Sequence, residues 1–377
     1  MKIVYYSPAY WMNGGAATHS RGLVSGWRDL GHNVLVLPAS RQDSRLSVSA
    51  MSGAYPRLPQ WAMSVGRTLR GSVRARRLAV DCLASLRDFD PDLRVVRRSP
   101  YDFVADAISR VGGSELVGEV NAVCSVEAAQ HWGQHYDMAE RKREMLYLER
   151  CHRVACITEE VRAQVMALGV PLAKTRIVPN GVDVSVFSDE AWPHACRTSG
   201  PCKIVVAYCA SVTPLHDLAT AVAAMSELRV GTGDTVRYLF IGPSPDDLRA
   251  AGADDAFIAC CAHTGPVAHA AVPGLMAQAD VGCVALNNSY GSPLKIMEFM
   301  AMGIPTAVAA AGTGLDPLRE SGGGIVCNPS DVSGLTNALK LLASDVDLRE
   351  EMGERAVEWV RKFGTWQRMA ERMIQDV

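Results

Sequence analysis

The chain has 377 residues, 48% of them hydrophobic and 21% charged, with 38 Lys and Arg against 40 Asp and Glu. That length exceeds what one hydrophobic core usually serves, so two α/β domains are expected, and the composition excludes a disordered or fibrous chain. No stretch approaches the ~20 uninterrupted apolar residues of a membrane-spanning helix, and a net charge of −2 gives no reason to expect a nucleic-acid partner.

The charge is uneven. Residues 1–200 carry 25 Lys and Arg against 20 Asp and Glu, and residues 201–377 carry 13 against 20. A mildly basic first half suits an anionic acceptor or a membrane surface, although an excess of five charges also arises by chance. The eleven cysteines are scattered with no CxxC pair. Most, such as Cys209 and Cys283, sit in apolar runs, as small core residues do in a reducing compartment. Neither Cys151 with Cys156 nor Cys260 with Cys261 has zinc-ligand spacing, so no metal site is expected. The start, Met1-Lys2-Ile3-Val4-Tyr5-Tyr6, reads as a first strand without the apolar region of a signal peptide. The expected location is the cytoplasm.

In chain order, residues 2–6 are a short β-branched and aromatic run. A helical pattern follows, with Leu23, Val24, Trp27 and Leu30 on one face and Gly31 as its stop. Residues 33–37 form a second buried strand, which completes a βαβ unit and implies a parallel sheet. Residues 41–80 break the rhythm. There Arg67, Arg70, Arg74 and Arg77 fall on one face if the segment is helical. Such a face suits either plain solvation or peripheral contact with anionic lipid. Strands are then expected at 92–96, 116–121, 154–158 and 177–183, with helices at 101–111, 137–151 and on to Leu168. Residues 188–202, with Pro193, Gly200 and Pro201, read as a linker. A second β-α alternation starts at Lys203, with strands near 237–241, 257–262, 281–285, 305–309 and 324–327. Closing helices are expected at 332–344, 346–361 and 365–376. Two doubly wound domains joined by a linker imply a cleft, with ligands beyond the carboxyl ends of the strands.

The most informative stretch runs from Asn287 to Pro305. Ser292 is a good N-cap, Pro293 fits the first helical position, and Gly303 ends the helix with Pro305 beyond. Amides of residues 292–295 would then point at a ligand with the positive end of the helix dipole, an arrangement suited to a diphosphate. Lys295 adds a point charge. Glu298, three residues on, can take two vicinal hydroxyls of a ribose. The plain alternative is a capped surface helix with an incidental Lys–Glu pair. Elsewhere no nucleophile triad and no HExxH is found. His131 and His135 have the i,i+4 spacing of a metal pair but no third ligand, which fits an acceptor-side loop or plain surface as well. Glu119 and Asn121, at a strand end, suit either an acceptor pocket or buried structural polarity.

These motifs resemble those of glycosyltransferase family 4. Glu298-Phe299-Met300-Ala301-Met302-Gly303-Ile304-Pro305 is similar to the family's EAMAxGxPVV segment, and Ser292–Pro305 to a variant reading SPLKxxEYMAxGxP. Pro179-Asn180-Gly181-Val182-Asp183, Thr264-Gly265-Pro266-Val267, Gly322-Gly323-Gly324-Ile325-Val326, the Gly14-Gly15 pair and Glu119-Val120-Asn121-Ala122 also match, in order, over nearly the whole chain. Two positions depart from the pattern. The first acidic residue of the family motif falls on Tyr290. After the first strand of the second domain, Ala210–Asp217 places Ser211 at the usual Arg, His216 at the usual Lys and Thr213 at the Arg of a GSxRPWHG variant.

The resemblance implies the GT-B fold: two Rossmann-like, doubly wound α/β domains facing a central cleft. The implied boundaries are an N-terminal acceptor-side domain at 1–190, a linker at 191–202, a C-terminal nucleotide-sugar domain at 203–360, and a last helix at 361–377 that crosses back. It implies a retaining transfer from an NDP-sugar to an acceptor in glycan or natural-product biosynthesis, with no cofactor and no obligatory metal. Donor-site residues would be Gly14, Gly15, Ser211, Thr213, Gly265, Tyr290, Gly291, Ser292, Pro293, Leu294 and Glu298. Lys295, Glu119 and His216 would act in catalysis, His216 through a charge or a hydrogen bond according to pH. A non-catalytic scaffold of the same fold, suggested by Tyr290 and Ser211, and a sugar-nucleotide epimerase are the alternatives. The acceptor is not named by these residues.

Overall fold

A computed structural model describes residues 1–40, 60–131, 138–188, 190–192 and 204–375. The chain divides into two compact units, residues 1–179 with 367–377, and residues 180–366.

In the first unit the order is β1 (Lys2–Tyr6), α1 (Gly15–Asp29), β2 (Asn33–Leu37), α2 (Gln60–Phe89), β3 (Leu93–Arg97), α3 (Phe103–Ser109), β4 (Glu115–Val120), α4 (Cys124–His131), α5 (Met138–Arg150), β5 (Arg153–Cys156), α6 (Glu159–Ala167) and β6 (Thr175–Ile177). Six strands pair in parallel in the order β2-β1-β3-β4-β5-β6. Ile3, Val4, Tyr5 and Tyr6 are fully buried. A central parallel strand covered on both faces needs such an unbroken apolar run. Trp27 of α1 is buried, and its Nε1 donates to the Ala370 carbonyl at 3.1 Å. The final helix therefore packs within the first unit from Gln367 onward. Of the arginine face expected near residue 70, Arg77 is exposed on α2, and the side chains of Arg67, Arg70 and Arg74 lie outside the described residues.

The interior of this unit is more charged than its sequence suggests. Arg98, just past β3, is buried and donates from Nε to Asp106 Oδ1 at 3.1 Å and from Nη2 to Glu140 Oε1 at 2.5 Å. This links the loop after β3 to α3 and α5. Asp102 caps α3, accepting from Ala105 N at 3.0 Å and from the Tyr6 hydroxyl at 2.7 Å. Burial pushes its carboxyl up to about 6, against the pull of those donors and of Arg98. A carboxyl raised in the folded state binds its proton more tightly there than in the unfolded chain. Its contribution to stability is therefore full below pH ~4 and is lost as pH rises through about 6. Asp102→Asn keeps the Oδ1 acceptor and cannot ionise. It is expected to melt above the wild type at pH 8, by up to about 3 kcal/mol, with the difference vanishing near pH 4. Thermal melts at pH 4, 6 and 8 check this, and a pH-independent difference would contradict it.

The second unit runs β7 (Ile204–Cys209), α7 (Leu218–Thr232), β8 (Val236–Ile241), α8 (Pro245–Ala250), α9 (Asp255–Cys260), β9 (Cys261–His263), α10 (Val272–Met276), β10 (Val281–Ala285), α11 (Leu294–Ala301), β11 (Thr306–Ala309), α12 (Asp316–Ser321), β12 (Gly324–Cys327), α13 (Val332–Ser344) and α14 (Val346–Phe363), followed by α15 (Trp366–Ile374), which leads into the first unit. Its strands pair in parallel in the order β12-β11-β10-β7-β8-β9. The winding direction reverses between β7 and β10. In such sheets the loops beyond these two strands diverge and leave a crevice for a ligand.

Three expectations need correction. The strand expected at 257–262 is mostly helix α9. Asp254 caps it through a 2.6 Å bond from Phe257 N, and only 261–263 are extended. The strand expected at 177–183 stops at Ile177. Residues from Asn180 on pack in the second unit rather than ending the first: Val182 N donates to the Gly364 carbonyl at 2.9 Å and Val182 bridges Thr365. Most of the expected linker, residues 193–202, lies outside the described residues. Among the described residues no helix is long and apolar enough to cross a membrane.

Candidate functional site

At the switch point of the second sheet, the loops after β7 and β10 are joined by backbone bonds. Asp217 N donates to the Ala285 carbonyl and Asn287 N to the Leu215 carbonyl, each at 3.0 Å, and His216 forms a bridge with Leu286. The chain beyond β10 then turns sharply. Asn288 Oδ1 accepts from Gly291 N at 2.9 Å, and α11 starts at Leu294.

No side chain caps α11. Ser292 was expected to do so, but it is buried and its hydroxyl accepts from Asn180 N at 3.0 Å, while Asn180 Nδ2 donates to the Ser292 carbonyl. Pro293 takes the cap position. Proline offers no donor or acceptor side chain, so its position leaves the first turn of α11 without a side-chain cap, and no acidic residue lies in that turn.

Glu298 sits one turn in, on a helix whose residues 296–301 are all buried. Its side chain is 2% exposed, yet both oxygens are engaged: Oε2 by Lys295 Nζ at 2.5 Å and Oε1 by His269 Nε2 at 3.2 Å. Burial depresses the Lys295 ammonium, but the Glu298 carboxylate outweighs it and the net shift is upward. Lys295 thus stays a cation. His216 behaves differently. Burial lowers its pKa, the Lys295 charge lowers it further, and a bond to the Ser211 backbone only partly opposes them. Its Nδ1 lies 3.0 Å from Thr213 Oγ1. At neutral pH it is a hydrogen-bonding imidazole, not the cation of a diphosphate clamp.

The remaining expected donor-site residues fall around this core. Ser211 is exposed and Thr213 half-buried on the loop after β7. Gly265, with φ of +62°, turns the chain after β9. Tyr290 is buried at 7% exposure and so packs inward at the position where an acid was expected. Gly291 and Leu294 are half-buried at the helix entrance.

In the first unit, Gly14 has φ of +97° at the start of α1, and Gly15 is exposed beside it. Glu119 is 3% exposed, accepting from the Tyr5 hydroxyl at 2.8 Å, with His19 Nε2 at 2.8 Å and Arg97 Nη1 at 3.6 Å. Burial alone would raise its pKa, but His19 and Arg97 bring it below the ordinary value. Tyr5, His19 and Arg97 thus hold this carboxylate at the end of β4. Glu119 does border a cavity of about 170 Å³ that Arg97, Arg98, Asn121 and Glu144 also line. The amide of Asn121, oriented with its oxygen toward Arg97, accepts two bonds of 3.1 Å. The side chain of His131 and all of His135 lie outside the described residues. Among the described residues no group of three or more His, Cys, Asp or Glu is placed to hold a metal ion.

Sequence reasoning passed over His269, Gly312 and Gly314, and singled out Asn180 only as part of a family motif. A Cβ on Gly312 would fall 1.8 Å from the Ser289 carbonyl oxygen, and one on Gly314 would fall 1.9 Å from that of Gly291. These glycines let the segment after β11 lie directly against the loop that leads into α11. A Gly-x-Gly pair after a strand was the available signal.

Comparison with known proteins agrees with this architecture. Residues 13–186 match the family described as Glycosyltransferase Family 4, and residues 203–345 match Glycosyl transferases group 1. The chain is 28% identical over 242 residues to a D-inositol 3-phosphate glycosyltransferase of Kribbella flavida, covering 59% of this chain and 55% of that protein. The chain thus spans about half the length of this curated relative. Among solved structures it resembles sucrose-phosphate synthase from Thermosynechococcus elongatus, with a TM-score of 0.73, 16% identity, and coverage of 100% of this chain and 98% of the other. It also resembles Anabaena HepE in complex with UDP-glucose, with a TM-score of 0.70, 15% identity, and coverage of 99% and 98%.

Proposed function

Because the chain belongs to the glycosyltransferase family 4 group and has the two parallel sheets of the GT-B fold, we propose that it transfers a sugar from an NDP-sugar to an acceptor hydroxyl with retention of configuration and without an obligatory metal. The observation that carries this reading is the helix entrance at the switch point of the second sheet. Uncapped amides, Lys295 and Glu298 occupy one turn of α11.

In this reading the amides at the start of α11 receive the diphosphate, and Glu298 receives the ribose hydroxyls. Breaking the glycosyl–phosphate bond builds negative charge on the departing diphosphate. Preorganised amides at a helix end stabilise that charge without reorganising. Lys295, one turn away on a flexible stem, exchanges Glu298 for the diphosphate as the charge grows. This keeps a cation at the leaving group and returns Oε2 to the ribose. Neutral His216 donates or accepts a hydrogen bond and adds no charge. Both oxygens of Glu298 are engaged, by His269 and Lys295, which supports acceptor attack on the face that the diphosphate vacates. The acceptor belongs to glycan or natural-product chemistry in this proposal.

The test is thermal stabilisation of the purified protein by UDP, GDP, ADP, dTDP and CMP, followed by product analysis with the matching NDP-sugar. Stabilisation by one nucleotide and release of its diphosphate upon sugar transfer are expected. If none of the five shifts the melting temperature, the buried Tyr290 and exposed Ser211 instead mark a scaffold that has lost the donor.

A further inference from the structure

The carboxylate of Glu298 is held from two sides by unlike groups. Lys295 lies on the same helix, three residues away, on a flexible stem, and in the reading above its charge also serves a bound diphosphate. His269 comes from a separate element, the short turn at 269–271 that follows the Gly265 loop. Its imidazole packs on the buried ring of Phe187, with centroids 5.7 Å apart and planes tilted by 59°. Phe187 is itself fixed by a 2.8 Å bond from its amide to the Asp183 carbonyl. One partner of the carboxylate thus sits on a long aliphatic stem, and the other on a ring packed against Phe187.

An ionised carboxylate offers about four acceptor positions. With His269 Nε2 donating to Oε1 and Lys295 drawn off to an anion, enough acceptor capacity remains for two vicinal hydroxyls, and only the imidazole then fixes the carboxylate plane. The bond is also directional in a way that the ammonium contact is not, because the imidazole N–H lies in the plane of a ring that Phe187 orients. We propose that His269 is a positioning residue for nucleotide binding: its N–H holds Glu298 in the orientation that receives the 2′- and 3′-hydroxyls of the donor ribose. This rests on the ribose role assigned to Glu298 above.

The experiment measures dissociation constants by calorimetry for whichever of UDP, GDP or ADP stabilises the wild type most, and for its 2′,3′-dideoxy counterpart. His269→Phe keeps the packing on Phe187 and removes the donor, and His269→Gln keeps an N–H donor. The wild type is expected to prefer the ribonucleotide by about 100-fold. His269→Phe should cut that preference about ten-fold while binding the dideoxy nucleotide as the wild type does, and His269→Gln should restore most of the preference. Equal weakening of both nucleotides in His269→Phe would mean that His269 only packs the loop. An unchanged preference would mean that Glu298 needs no help. Either result overturns the proposal while leaving the donor site intact. A wild type that does not distinguish the two nucleotides, or binds neither, removes the ribose role of Glu298 and this proposal with it.

Discussion

Glu298→Ala is expected to weaken nucleotide binding by at least 100-fold and to remove the nucleotide-induced rise in melting temperature. Two effects oppose each other. The substitution deletes two hydrogen bonds from ribose hydroxyls to a carboxylate that is 2% exposed, and bonds to a charged acceptor contribute about 1.5–3 kcal/mol each. It also frees Lys295 from its ion pair, so the cation reaches the diphosphate without first leaving a partner. The pair is largely buried, with side chains 23% and 2% exposed, and the desolvation of two such charges offsets much of their attraction. Loss therefore dominates, at roughly two decades or more. Glu298→Gln separates the terms. It preserves the shape of the buried site, removes the charge and exchanges one acceptor oxygen for an NH2 donor, so it should fall between the wild type and Glu298→Ala. Calorimetry on the three proteins checks the order. Wild-type affinity in Glu298→Ala would show that the carboxylate is structural.

Gly312→Ala is expected to lower the stability of the second unit by roughly 2–5 kcal/mol and to cost more than ten-fold in nucleotide affinity. Gly312 has φ of +102° and ψ of 169°, a region open almost only to glycine. Its Cβ would also stand 1.8 Å from the Ser289 carbonyl oxygen. The backbone of residues 289–291 must then shift, and with it the entrance to α11. Gly252→Ala is the control, since φ there is +98° but nothing lies within 4 Å of the added carbon. It bears the dihedral cost without the collision. The two variants should both melt below the wild type, with only Gly312→Ala losing nucleotide. Equal effects on binding would place the defect in backbone strain alone and remove the argument that this glycine shapes the donor loop.

Much of this molecule was legible from local pattern. The unbroken apolar runs at Ile3–Tyr6 and Val281–Ala285 give strands buried on both faces, as central parallel strands require. The strand Gly324–Cys327 and the helix Val332–Ser344 lie where local pattern places them. Glu298 stands out because it is the one acid in a helix otherwise apolar through its buried residues. Where reading failed, the competing signal was also local. Phe257 and Ile258 looked like strand residues, but Asp254 supplies a helix cap three residues earlier than Phe257, and the pair fills the core from a helix instead. Ser292 has the right chemistry for a cap, yet its hydroxyl is taken by Asn180, 112 residues away.

The sequence by itself therefore determined the alternation of strands and helices, the family type, and the stretch from Ser292 to Glu298 as the entrance of a helix beyond a buried strand. Periodicity, caps and turn residues act over one strand or one helical turn, and a single chain displays all of them. Tertiary structure alone decided that His269 and Lys295 share the Glu298 carboxylate, that Gly312 and Gly314 make room for the loop leading into α11, that burial lowers the His216 pKa, and that Arg98, Asp106 and Glu140 form a buried charge network. Each of these depends on groups brought together by sheet register and helix packing across many residues, and a pKa or a steric limit exists only once those neighbours are in place.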